Sequence, residues 1–275
     1  MKLFVFGSNG MLGNYIIKNL SKDYQVIKLT RKDYDLSKLS IDSLSELLKY
    51  KNIQKDDIVI NCAGVIPQAS KQRGLNTRLY FTINSLFPVV LSQICDKFEA
   101  KMIHVTTDCV FSGKDGNYDE NSLHDETNDY GTSKSLGELC KATIIRTSII
   151  GEETINKRSL LEWVRSNRGG EINGFTNHMW NGVTCLQLSK IIEKMIREKF
   201  YWEGVRHTFS PRSVSKYELV SLINEIYDLN IKVNKFEMAN LIDKTLTTIY
   251  KTNDIFNIPE LKIQIQELKI RSISI

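Results

Sequence analysis

The chain has no run of about 18 apolar residues, so no membrane-spanning helix is expected. Residues 1–13 do not pair a charged stretch with an apolar signal core; they read as a strand and a glycine-rich turn, and the expected location is the cytoplasm. Cysteine is sparse and odd in number, 5 in all, with no CxxC pair and no Cys/His cluster at zinc spacing. Neither a disulfide framework nor a metal site is expected, and the thiols should be reduced. Proline is scarce, 4 in 275 residues, and neither low-complexity tracts nor solenoid repeats occur. Charge of one sign is nowhere massed: the net +5 comes from scattered Lys and Arg, which argues against nucleic-acid binding. A mild positive field suits a small, phosphate-rich ligand. At 41% hydrophobic and 25% charged residues the chain has the balance of a folded globular protein.

Short apolar runs alternate with helical spacing through the first half. Lys2–Phe6 reads as a strand, Met11–Leu20 as a helix, Gln25–Leu29 as a strand, Ser40–Tyr50 as a helix and Asp57–Ile60 as a strand. A long helix follows at Phe81–Phe98, then a strand at Met102–Thr106, a helix over Tyr130–Cys140 and a strand at Ala142–Ile149. This order predicts an α/β fold, a Rossmann-like, doubly wound parallel sheet covered by helices on both faces. Beyond Gly151 the alternation weakens, leaving helices at Cys185–Lys199 and Ser215–Tyr227 joined through Trp202–Pro211. Residues 1–150 are therefore assigned to a dinucleotide-binding domain. Residues 151–275 are assigned mainly to a smaller substrate-binding region, with the chain free to cross back.

The turn Gly7-Ser8-Asn9-Gly10-Met11-Leu12-Gly13 links the first strand to the first helix. Glycine there lets a pyrophosphate approach main-chain N–H groups at a helix N-terminus. A tight strand-to-helix turn is the plainer reading of three glycines alone. After the second strand, where an acid usually holds the ribose 2′-hydroxyl of NAD, stands Thr30-Arg31-Lys32. Arg31 suits a 2′-phosphate, so the expected cofactor is NADP(H); a solvated loop arginine is the competing reading. Asn61, Cys62, Ala63 and Gly64 end the third strand with small side chains that let a cofactor lie close to the sheet edge.

Thr107 ends a strand, and Tyr130 and Lys134 lie one helical turn apart. Carbonyl reduction needs such a set. A phenol delivers a proton as hydride arrives, an ammonium nearby lowers its pKa from about 10, and a hydroxyl stabilises charge developing on the carbonyl oxygen.

With these residues the chain resembles the extended short-chain dehydrogenase/reductases, and among them the dTDP-4-dehydrorhamnose reductases and bifunctional nucleotide-sugar epimerase-reductases. The resemblance spans roughly the whole chain. Its most telling stretch is Val105-Thr106-Thr107-Asp108-Cys109-Val110-Phe111-Ser112-Gly113, with Arg146-Thr147 matching the Arg-Thr of a later strand. The resemblance implies Thr107, Tyr130 and Lys134 as catalytic groups and a nucleotide sugar as substrate. It implies reduction of the 4-keto group of a 4-keto-6-deoxy sugar. Cys109 stands where rhamnose reductases carry Tyr and the bifunctional relatives carry Cys. This implies epimerisation beside the ketone, with Lys157 or His178 as second acid/base. A small buried cysteine and a packed structural histidine are the competing readings. Arg73 and Arg78 are candidates for substrate phosphates or for a solvated helix face. A homodimer built from paired helices is common in related folds.

Two alternatives stay open. One is a non-catalytic, nucleotide-binding regulatory subunit of the same fold, like that of methionine adenosyltransferase. The other is a nucleotide-sugar epimerase or dehydratase that retains NAD, which Arg31 disfavours.

Overall fold

In the computed structural model, which describes residues 1–67, 77–155 and 157–273, the first strand β1 (Lys2–Phe6) is buried along its last four residues. Large apolar side chains on both faces suit the middle of a parallel sheet. Leu3 and Val5 enter one core while Phe4 and Phe6 enter the other, as alternation along a strand requires. Then come α1 (Met11–Leu20), β2 (Gln25–Leu29), α2 (Ile41–Tyr50) and β3 (Ile58–Asn61). The next helix, α3, consists of Thr77–Tyr80, a π-helical stretch Phe81–Leu86 and Phe87–Lys97. It leads to β4 (Lys101–Thr107), α4 (Asp129–Gly137), β5 (Thr143–Thr147) and β6 (Ile149–Ile150).

The second half contributes α5 (Leu160–Ser166), β7 (Glu171–Phe175), β8 (His178–Trp180), β9 (Val183–Thr184), α6 (Cys185–Glu198) and β10 (Gly204–His207). After these come β11 (Val214–Ser215), α7 (Lys216–Tyr227), β12 (Lys232–Phe236), β13 (Ile242–Asp243), α8 (Thr252–Phe256) and α9 (Leu261–Ile270).

Six strands form one parallel sheet in the order β10-β5-β4-β3-β1-β2. The direction of winding reverses between β1 and β3, and in open α/β sheets ligands bind outside the C-terminal ends of the strands at such a switch point. One face packs against α1, α6 and α9 around Tyr15, Ile16, Leu188 and Ile265; the other packs against α2 and α3 around Leu44, Leu48, Phe87 and Leu91.

The strand β10 lies beyond residue 150 yet completes the main sheet beside β5. Only four residues long and carrying Arg206 and His207, it shows no apolar run, so its connection reads from sequence as an unstructured link. Small strand pairs missed for the same reason build the second region. β12 pairs with β7, and β8 lies between β11 and β13, which brings His178–Trp180 beside the start of α7.

Candidate active site

The glycine turn and the end of β3 enclose a cavity of about 250 Å³ at the switch point. Gly7 has φ +73, and a Cβ there would stand 2.7 Å from the Ala63 amide, so the turn and the end of β3 meet through glycine. A Cβ on Gly13 would overlap the Gly7 carbonyl. No side chain caps α1 and no acid occupies its first turn, so its leading N–H groups and dipole suit an anionic group. This fits the diphosphate of a dinucleotide. Gly7, Ser8, Asn9, Gly10, Thr30, Arg31, Ala63 and Gly64 line the cavity. Met11, Leu12, Gly13 and Asn61 do not. The Leu12 side chain is in the core, leaving its main chain to face a ligand. Asn61 is buried; its Oδ1 accepts from the Ala63 amide at 3.0 Å, and its Nδ2 lies 3.1 Å from His104 Nδ1, so it braces the turn from behind. Arg31 faces the cavity rim, 58% exposed and 3.4 Å from Asp35. A larger cavity, about 340 Å³, lies at the opposite end of the strands near Lys101, Ala142 and Trp202, away from the switch point.

Asn128 caps α4 by accepting from the Gly131 amide at 2.9 Å, and Gly131 packs so close to the Cys109 carbonyl that a Cβ would overlap it. That contact sets the start of α4 beside the end of β4, where the Thr107 hydroxyl acts on the Tyr130 phenol while donating to Asp108 Oδ1 at 3.1 Å and accepting from the Cys109 amide at 3.1 Å. Burial, followed by Cys109, holds the phenol well above its usual range, while the Thr107 hydrogen bond opposes the rise. The lowering expected from an ammonium one turn away does not dominate. Lys134, buried, directs its Nζ toward Gly64 instead. Burial lowers the Lys134 pKa from 10.5 to about 8, against the opposing charge of Glu138.

Sequence reading missed Asn84. The π-helical stretch presents it to the Val65 main chain, where Oδ1 accepts from N–H at 2.8 Å and Nδ2 donates to the carbonyl at 3.0 Å. Nδ2 also donates to Ser133 Oγ at 3.0 Å, which ties the β3 loop to α4. A single Asn within the apolar stretch Leu79–Leu91 was the available signal. Arg146 is fully buried, ion-paired with Glu138 one turn beyond Lys134, and donates to His124 and His207 at 2.7 and 2.8 Å. Arg146 is thus a brace behind α4.

Among the described residues, Cys109 forms no hydrogen bond with Lys157 or His178, the expected partners. Among the described residues, Cys109 Sγ hydrogen-bonds to Asp108 at 3.5 Å. Burial, with Asp108 adding to it, pushes the thiol up to about 12, which keeps it protonated. Lys157 is exposed in the loop after β6, at φ +48. His178 packs against Phe175, ring centroids 4.9 Å apart, and among the described residues its Nε2 is buried without a hydrogen-bond partner. The cations acting on Cys109 and Asp108 are Lys216 and Lys244, both distant in sequence. Arg78 is exposed on α3, and Arg73 lies outside the described residues. Among the described residues no helix is long and apolar enough to cross a membrane.

Comparison with known proteins agrees with this geometry. A dTDP-4-dehydrorhamnose reductase of Burkholderia thailandensis is 31% identical over 144 residues, covering 52% of this chain and 46% of the relative. A dTDP-4-keto-6-deoxy-D-glucose reductase of Streptomyces niveus is 25% identical over 233 residues, covering 79% and 76%. The chain spans about half the length of most curated relatives it matches. The crystal structure of a Bacillus anthracis dTDP-4-dehydrorhamnose reductase in complex with NADP superposes with a TM-score of 0.81 at 22% identity, covering 98% of this chain and 99% of that one. That likeness shows the fold. Residues 1–240 match the RmlD substrate binding domain, and the chain belongs to that family.

Proposed function

We propose that the protein uses NADPH to reduce the 4-keto group of a nucleotide-linked 4-keto-6-deoxy sugar. The observation that carries this reading is the Tyr130 phenol and Thr107 hydroxyl brought together where β4 ends, on the switch-point side of the sheet. NADPH, when bound, supplies the hydride. The glycine turn and the uncapped start of α1 would hold its diphosphate, and Arg31 would meet its 2′-phosphate. Thr107 donates to the carbonyl oxygen and Tyr130, protonated because its phenol is buried, releases a proton to that oxygen as it becomes an alkoxide. Lys134 stands beside Gly64, where the ribose of a dinucleotide in the cavity would lie, and its positive charge favours the phenolate left behind.

The names of the relatives support this substrate class: several are dTDP-4-dehydrorhamnose reductases. Epimerisation before reduction receives no support from the site, because Cys109 is held as a thiol that donates to Asp108 and, among the described residues, forms no hydrogen bond with Lys157 or His178.

The test is incubation with a panel of 4-keto nucleotide sugars and NADPH, followed by NMR of the product. Reduction at C4 by the wild type, with turnover down by about a hundredfold or more in Tyr130→Phe, is the expected result. Failure to reduce any member of the panel, or full activity in Tyr130→Phe, would overturn the reading; the second outcome would favour a regulatory protein of the same fold.

A further inference from the structure

The start of α7 delivers a cation that the reduction chemistry above does not use. Ser215 caps the helix in a reciprocal box with Glu218, and β11 pairs Val214 and Ser215 with Trp180 and Met179 of β8. Those contacts fix the main chain at Lys216. Its stem crosses Trp180, with Nζ 5.0 Å from the ring centroid. The same charge acts on Asp108 and Cys109, the two residues after Thr107, and on His178. Lys216 is therefore set between the C-terminal region and the end of β4.

What distinguishes Lys216 from its neighbours is that, among the described residues, its ammonium meets the face of the Trp180 ring and is bonded to no oxygen. Lys244, which also acts on Asp108, is ion-paired with Glu126 at 3.3 Å. Among the described residues the Lys216 ammonium forms no hydrogen bond or ion pair, although the side chain is half-buried. An ammonium carries three donors and no acceptor, and a ring face cannot satisfy those donors as an oxygen would, so they are left to solvent. Burial lowers its pKa, with Asp108 and Cys109 opposing. A ligand oxygen would meet this unmet donor capacity, and in this position the ligand is the one whose carbonyl contacts Thr107.

We propose that Lys216 is a specificity-determining residue that donates a hydrogen bond to an oxygen substituent on the sugar, on a carbon beside the one being reduced. This rests on the proposed nucleotide-sugar substrate. Trp180 supports the stem, and the C-terminal region thereby fixes which face of the sugar meets the reducing groups. The sugar, and not its diphosphate, is the moiety held, because Lys216 acts on the two residues that follow Thr107 and does not line the glycine-turn cavity.

Calorimetric binding of dTDP-L-rhamnose and of dTDP alone, to wild type and to Lys216→Met in the presence of NADP, tests this. Met retains the stem over Trp180 and removes only the charge. The expected result is that Lys216→Met weakens dTDP-L-rhamnose by about tenfold or more while dTDP binds as before, since a hydrogen bond to a charged donor is lost. Lys216→Arg should recover part of the loss. Equal weakening of both ligands, or an unchanged preference for the sugar-bearing one, would overturn the assignment of Lys216 and leave the substrate class standing. A wild type that binds dTDP-L-rhamnose no better than dTDP would overturn both.

Discussion

The Lys134 ammonium and Gly64 are in close apposition: a Cβ at position 64 would stand 3.1 Å from Lys134 Nζ. The end of β3 and α4 meet there, with Asn84 Oδ1 next nearest at 3.4 Å. Gly64→Ala should therefore push the end of a flexible side chain without disturbing the fold. Turnover is expected to fall about ten- to a hundredfold while the melting temperature moves by no more than about 2 °C. Unchanged turnover would show that the position of the ammonium does not matter.

Titration of Lys134 should appear in the pH profile. Its pKa falls from 10.5 to about 8, chiefly through burial, so kcat is expected to decline as pH rises through about 8 and the ammonium is lost. Whatever activity Lys134→Arg retains should lack that limb, because a guanidinium stays charged. The same limb in both proteins would assign it to another group.

Stability should carry the opposite sign. Below the depressed pKa the folded protein bears the cost of a buried cation, and between about 8 and 10.5 the unfolded chain binds more protons, so stability from this group rises with pH across that window. Lys134→Met should consequently be more stable than wild type at pH 7, on the order of 1–3 kcal/mol by urea denaturation, while losing activity. A destabilised Lys134→Met would mean that packing outweighs desolvation at this site.

Cofactor choice is expected to depend on Arg31. The guanidinium is exposed at the cavity rim and, among the described residues, engaged by Asp35 alone at 3.4 Å, so it is free to reorient toward a 2′-phosphate. In Arg31→Glu, NADPH should bind at least about tenfold more weakly while NADH changes little. Equal losses for the two cofactors would remove Arg31 from the 2′-phosphate site.

Proton exchange beside the ketone should be absent. Cys109, partly buried and donating to Asp108, stays a thiol over the working pH range. Incubation of the 4-keto sugar with the protein in heavy water, without NADPH, should leave carbons 3 and 5 unlabelled beyond the protein-free rate. Enzyme-dependent deuterium at either carbon, abolished in Cys109→Ser, would establish the epimerase instead.

Much of this was legible without coordinates. The glycine turn, the Tyr130/Lys134 spacing and the strand-end Thr107 belong to elements whose apolar periodicity is strong, because each is buried on one or both faces. The second region was less legible. Strands of two to five residues such as β8, β11 and β13 carry too few positions to show a period, and β10 joins a sheet begun some two hundred residues earlier.

The sequence by itself determined the parallel α/β architecture, the glycine turn after β1 and the one-turn spacing of Tyr130 and Lys134, since local spacing specifies all three. Only the tertiary structure decided what surrounds them. It turned Lys134 toward Gly64, made Cys109 a protonated partner of Asp108, placed Lys157 in solvent and brought Lys216 to the end of β4. Those outcomes depend on burial and on long-range contacts between residues remote in the chain, and pKa follows such surroundings and not residue type alone.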